Sequence, residues 1–150
     1  TNGLYIGATN ESVTGTTSTD KMKYSSVTAT YDFGVAKVGY STTKSSSTAK
    51  TLGLTLAAAY DDDFNSYNGQ STSVTVPVTT ALSVYYNTNT LKAEDSTSTR
   101  NATVKAKGTQ LGANYSLSKR TTVYLQTGKT SVDGSTKGTS AYAIGLLHGF

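Results

Sequence analysis

Tyr142-Ala-Ile-Gly-Leu-Leu-His-Gly-Phe150 is the stretch that decides how this chain folds. Counting back from Phe150 in steps of two gives His148, Leu146, Ile144 and Tyr142; the opposite side reads Ala141, Ala143, Gly145, Leu147 and Gly149. Alternation with period two is the signature of a strand. A large apolar face closed by an aromatic, backed by a face of small residues, fits a lipid-facing terminal strand of a transmembrane β-barrel. The competing reading is the last strand of a soluble β-sandwich. From Tyr142 to Phe150 the rise, at about 3.3 Å per step and tilted near 45°, covers roughly 19 Å of a ~25 Å apolar band.

The same alternation recurs upstream, at 3–9, 23–33, 35–42, 50–60, 73–78, 81–91, 108–118 and 121–130. Val27, Ala29, Tyr31 and Phe33 oppose Ser26, Thr28, Thr30 and Asp32, and Leu111, Ala113, Tyr115 and Leu117 oppose Gln110, Gly112, Asn114 and Ser116. Short connections at 32–34, 78–80 and 118–120 alternate with long polar ones at 10–21, 43–49, 61–72, 92–102 and 131–139. That is the plan of an antiparallel up-and-down barrel, with tight turns on one side of a membrane and long loops on the other. Segment 50–60 breaks the parity. Counted as a strand it makes nine, which a standard bacterial barrel does not accommodate; left out, it leaves eight.

Composition agrees with an all-β membrane wall. Hydrophobic residues are 35% and charged residues 15% of the chain, too polar for an ordinary core and too weakly charged for a disordered segment. Ser, Thr, 14 Gly and 11 Tyr fill the difference, as expected where one face of a sheet meets lipid and the other water. No apolar run approaches the ~20 residues of a membrane helix, which leaves strands as the spanning element. The 13 basic residues are scattered, so the net charge of +4 draws no nucleic-acid footprint.

Strand phase assigns the side chains. Tyr31, Tyr40, Tyr60, Tyr86, Tyr115 and Tyr142 lie on the apolar phase near strand ends, where phenol rings form girdles at the two lipid–water interfaces. Lys37, Tyr85, Asn87, Asn114, Tyr124 and Gln126 fall on the opposite phase and are the candidate pore-lining residues. Lys37 is the one charge read as central on that phase, with a turn lysine reaching for the interface as the alternative. Lys105, Lys107 and Lys129 share the lipid phase and belong above the apolar band, because a lysine at mid-membrane costs roughly 2–4 kcal/mol.

Three stretches resemble the general diffusion porins of Gram-negative bacteria. Tyr31-Asp-Phe-Gly-Val-Ala-Lys-Val38 is similar to a periplasmic turn and its following strand. Leu111-Gly-Ala-Asn-Tyr-Ser-Leu-Ser-Lys-Arg-Thr-Thr-Val-Tyr124 resembles a hairpin near the porin C-terminus, and Gly145-Leu-Leu-His-Gly-Phe150 the terminal motif. Val74-Thr-Val-Pro-Val78 is a weaker match. Leu147 departs from the Arg usual in that motif. Such porins have about sixteen strands and about twice this length, so the resemblance aligns the chain with a C-terminal half: a fragment, a short relative or a rebuilt smaller barrel.

The resemblance implies an outer-membrane location, passive diffusion of ions and small hydrophilic solutes, and a homotrimer. It also implies that Tyr142, Ile144, Leu146, His148 and Phe150 form a terminal face read by the outer-membrane assembly machinery, alongside contact with outer-membrane lipid. The modest positive charge points to weak anion preference. The rival is a closed eight-stranded barrel whose interior is filled by side chains and which acts through its loops. No cofactor or metal is expected. Asp61-Asp-Asp63 with Asn65 and Asn68 lacks the glycine and the closing glutamate of a calcium loop. With no Cys and one His, on the apolar face, an enzyme is not expected.

Overall fold

The computed structural model describes residues 3–14, 21–47, 65–94, 103–135 and 138–149. Among them the chain is all-β: β1 (Gly3–Thr14), β2 (Lys21–Asp32), β3 (Lys37–Ser47), β4 (Ser66–Pro77), β5 (Leu82–Glu94), β6 (Thr103–Ser116), β7 (Thr121–Val132) and β8 (Thr139–His148). They form one sheet in chain order, every neighbour antiparallel. Among the described residues β1 and β8 do not meet and no further strand pairs with either, so the sheet described is open along both. Segment 50–60, with its parity problem, lies outside the described residues; β3 pairs directly with β4.

The strands run further than hydropathy alternation does. β1 continues to Thr14, β3 to Ser47 and β5 to Glu94, and β4 begins at Ser66, all inside stretches read as loops from the sequence. At these ends the outward positions are Ser, Asn, Lys or Glu, so the apolar–polar signal vanishes while the backbone ladder goes on. The ladder reaches past the strand ends, with Asn65 N–H donating to the Glu94 carbonyl at 3.1 Å and Asp133 N–H to that of Lys105 at 2.8 Å.

The three short turns are held by side-chain oxygens. Asp32 Oδ1 accepts from Gly34 N–H at 2.8 Å, Thr79 Oγ1 from Leu82 N–H at 3.0 Å, and Ser118 Oγ from Arg120 N–H at 3.2 Å. This is the local turn chemistry of Asp, Thr and Ser. Gly34 sits at φ 84°, in the left-handed region. Gly34→Ala is therefore expected to cost about 1–2 kcal/mol, read as a lower urea midpoint for the protein folded in lipid vesicles.

Register fixes two faces. One cross-strand row runs Leu4, Tyr31, Val38, Val74, Tyr86, Leu111, Thr127, Tyr142. Its phase carries most of the exposed large apolar residues, from Ile6 to Leu146, while Tyr5, Val13, Met22, Tyr24 and Leu147 are exposed on the other. The other phase is more enclosed. Along β6, Val104, Ala106, Gly108 and Gly112 are buried while Lys105, Lys107, Thr109 and Leu111 between them are exposed. The sheet thus curls toward the second face. The only buried apolar cluster among the described residues lies there too, at the loop end, where Tyr67, Ala93 and Val104 pack with Leu91 and Val132.

Candidate pore wall

The middle of the concave face is lined mostly by small and polar side chains. Down its middle run Ser41 and Thr43, Ser71 and Ser73, Asn87, Gln110, Gly112, Gln126, Gly128, Ala143 and Gly145. The larger polar side chains lie along it and bond to one another. Tyr85 Oη donates to Gln126 Oε1 at 2.8 Å, Gln110 Nε2 donates to the same oxygen at 2.8 Å, and Asn87 Nδ2 donates to Gln110 Oε1 at 3.1 Å.

Glycine makes this network possible. Tyr85, Gly112 and Gln126 share one cross-strand row, so the Tyr85 ring on β5 passes over β6 to reach β7. A Cβ on Gly112 would lie 2.8 Å from Tyr85 Cε1, with Cζ and Oη closer still. The arrangement repeats one strand on: Tyr124 pairs with Gly145, whose added Cβ would lie 2.6 Å from Tyr124 Cε1. Both rings are held against the wall instead of projecting from it.

Of the residues assigned to the pore from sequence, Tyr85, Asn87 and Gln126 join this network. Asn114 faces Tyr124 across β6 and β7 on the same face. Lys37 stands apart. It is the first residue of β3, beside the short turn, and its Nζ lies 3.6 Å from Asp32 Oδ2, so it is not central on the face as read from sequence. Gln110 was the missed member; it shares the phase of Asn114, and only the register shows that it lies between Asn87 and Gln126.

The convex face is layered along the strands. Tyr31 and Tyr115 lie toward the turn end of the apolar runs of β2 and β6, and Tyr40, Tyr86 and Tyr142 at the loop end of those of β3, β5 and β8. Phe33 meets the Tyr31 ring edge-on at 4.5 Å beside the turn. Tyr60 lies outside the described residues. On β8, Tyr142, Ile144 and Leu146 are 87%, 74% and 59% exposed, and His148 Nδ1 lies 2.9 Å from Thr121 Oγ1; Phe150 is outside the described residues. Beyond the loop-side tyrosines come Ser and Thr, and then lysines: Lys21 and Lys23 on β2, Lys44 on β3, Lys92 on β5, Lys105 and Lys107 on β6, Lys129 on β7. Among the described residues no three of His, Cys, Asp or Glu come together as a metal site would require, and the Asp61–Asp63 run lies outside them.

The sequence pattern that defines the Gram-negative porins matches residues 1–135. The chain belongs to the Gram-negative porin family. The match takes in the turn at 31–38, the run at 74–78 and the hairpin at 111–124, and stops short of the terminal motif. No curated protein and no solved structure matches the chain. The eight antiparallel up-and-down strands are those of a porin-type sheet. Family membership carries a channel class rather than an enzymatic one, and an outer-membrane setting.

Proposed function

We propose that this chain forms the wall of a water-filled pore through which ions and small hydrophilic solutes diffuse passively across the outer membrane. The observation that carries the reading is the Asn87–Gln110–Gln126–Tyr85 network lying along the middle of the concave face, between Gly, Ser and Thr positions. Side chains that satisfy one another along the wall need no second packing layer, and the remaining donors and acceptors meet water. A side-chain-filled barrel would instead call for large residues projecting inward. Lipid on the convex face, assembly machinery at the β8 terminal face and a trimeric state complete the proposal by analogy with the family.

Charge refines the expected selectivity. The described lysines other than Lys37 and Lys119 all sit on the convex phase, outside the proposed pore. The concave phase carries Glu11, Asp32 and Lys37, and the last two pair with each other. The described charges of this wall favour near-neutral selectivity over the weak anion preference expected from overall charge. The test is conductance of the protein in planar bilayers under a salt gradient. Stepwise ohmic openings with a reversal potential near zero are expected. A folded, inserted protein that never conducts would hand the case to the narrow barrel acting through its loops.

A further inference from the structure

Among the described residues the concave face of β5–β8 carries no charged side chain; Glu11, Asp32 and Lys37 lie on β1, β2 and β3. What it carries instead is a stripe of planar groups laid over glycines of the next strand. Asn89 covers Gly108, Tyr85 covers Gly112 and Tyr124 covers Gly145, each pair standing directly opposite in register. Beside this stripe a groove of about 280 Å³ opens, floored by Gly108, Gly128 and Ala141 and edged by Asn89, Gln110 and Gln126.

The amides around the groove are only half used. Gln126 Oε1 accepts from both Tyr85 and Gln110, which leaves the two N–H groups of Gln126 Nε2 without a partner among the described residues. Asn89 makes no side-chain hydrogen bond among those residues, and Thr130 and Thr139 add hydroxyls at the loop-side edge. Donors and acceptors are thus mixed over a neutral surface. Such an array gives an ion no opposite charge, but it matches neighbouring hydroxyls, each of which both donates and accepts. One row nearer the turns the half-buried Tyr124 ring lies across Gly145. The negative face of an aromatic ring attracts the C–H bonds that line one side of a pyranose.

We propose that this stretch of the wall is a subsite for neutral saccharides, one pyranose unit hydrogen-bonded in the groove to Asn89, Gln110 and Gln126 and the next stacked on Tyr124. The inference rests on the pore reading above and names a solute class within it. An open-chain polyol can use the amides but has no ring face to set on the tyrosine. Affinity is low by necessity, because a site on a diffusion path has to release what it takes.

Single-channel current in planar bilayers tests this, with maltose as the ring-bearing probe and mannitol, at equal mass concentration, as the open-chain one. Maltose should reduce the current saturably, half-maximally at about 10 mM, whereas mannitol should lower it only as far as the viscosity it adds. Tyr124→Ala should raise the half-blocking concentration of maltose about fivefold, and Tyr124→Phe, which keeps the ring, should leave it near the wild-type value. Asn89→Ala, which removes no bond of the wall network, should raise it about threefold. Lys119→Gln, at the turn end, should not move it. Channel opening in salt alone shows that a variant has folded. A fall of current that stays linear in maltose overturns the inference and leaves the pore standing, as does a saturable block that neither Tyr124→Ala nor Asn89→Ala weakens. A protein that inserts but never conducts overturns the pore reading and the inference with it.

Discussion

Leu111→Lys is expected to block stable insertion, while Gln110→Lys, one position away, leaves the barrel folded and shifts its reversal potential toward anions. Leu111 is half-exposed on the convex face, between Tyr86 and Thr127 in the row that crosses the apolar zone. A lysine there must be desolvated in hydrocarbon, at about 2–4 kcal/mol near the midplane. Gln110 points the other way. Its replacement gives up the bonds from Asn87 and to Gln126, roughly 1 kcal/mol each where water can substitute. The new ammonium then stands over the pore, where fixed charge attracts anions. Urea unfolding of the two variants in phospholipid vesicles, paired with reversal potentials, separates them. Equal destabilisation by both would mean the faces are misassigned, since a one-residue slip exchanges every side chain between lipid and lumen.

The second large effect belongs to Gly112. In Gly112→Val the new side chain occupies the place of the Tyr85 ring. The ring is a mobile end rather than backbone, so it swings off the wall, and the Tyr85–Gln126 bond is lost. Stability should fall by only about 1 kcal/mol. Conductance should fall much more, by roughly a third, because the aromatic ring then stands in the water path. Gly112→Val/Tyr85→Ala should recover the loss, since there is no ring left to displace. Single-channel recordings decide it: wild-type conductance in the single variant, or no recovery in the double, would show that Tyr85 does not border the pore.

Much of this was legible in the sequence, in proportion to how well two-fold alternation carried it. β2, β6 and the apolar half of β8 read directly, because β2 and β6 set large apolar residues against polar ones and β8 sets them mostly against Ala and Gly. The loop-side ends did not. In β3 the run Ser41–Ser47 is polar on both faces, and in β6 the pattern inverts, with Val104 and Ala106 turned inward and Lys105 and Lys107 outward. Inversion looks like a break in the strand when only hydropathy is followed. The site was half legible for a related reason. Phase alone assigns Tyr85 and Gln126 to one side; that they touch depends on Gly112 lying between them, which is a fact of register across three strands. Of the two places open to Lys37, central on the face or at the turn, its position at the start of β3 beside Asp32 agrees with the turn, and a strand reading does not reveal that partner.

The unpaired edges of β1 and β8 bear on the gauge of the channel. Inside a bilayer a bare ladder edge leaves N–H and C=O groups unmet, at several kcal/mol apiece, so both must be joined to antiparallel strands. Joined only to each other, they would close a tube about as wide as the side chains within it; with a further set of strands between them the circumference grows in step with strand number, and the open cross-section faster. The lining described above fixes what a passing solute touches. The number of strands standing between β8 and β1 fixes how large that solute can be, and the two properties can therefore change independently.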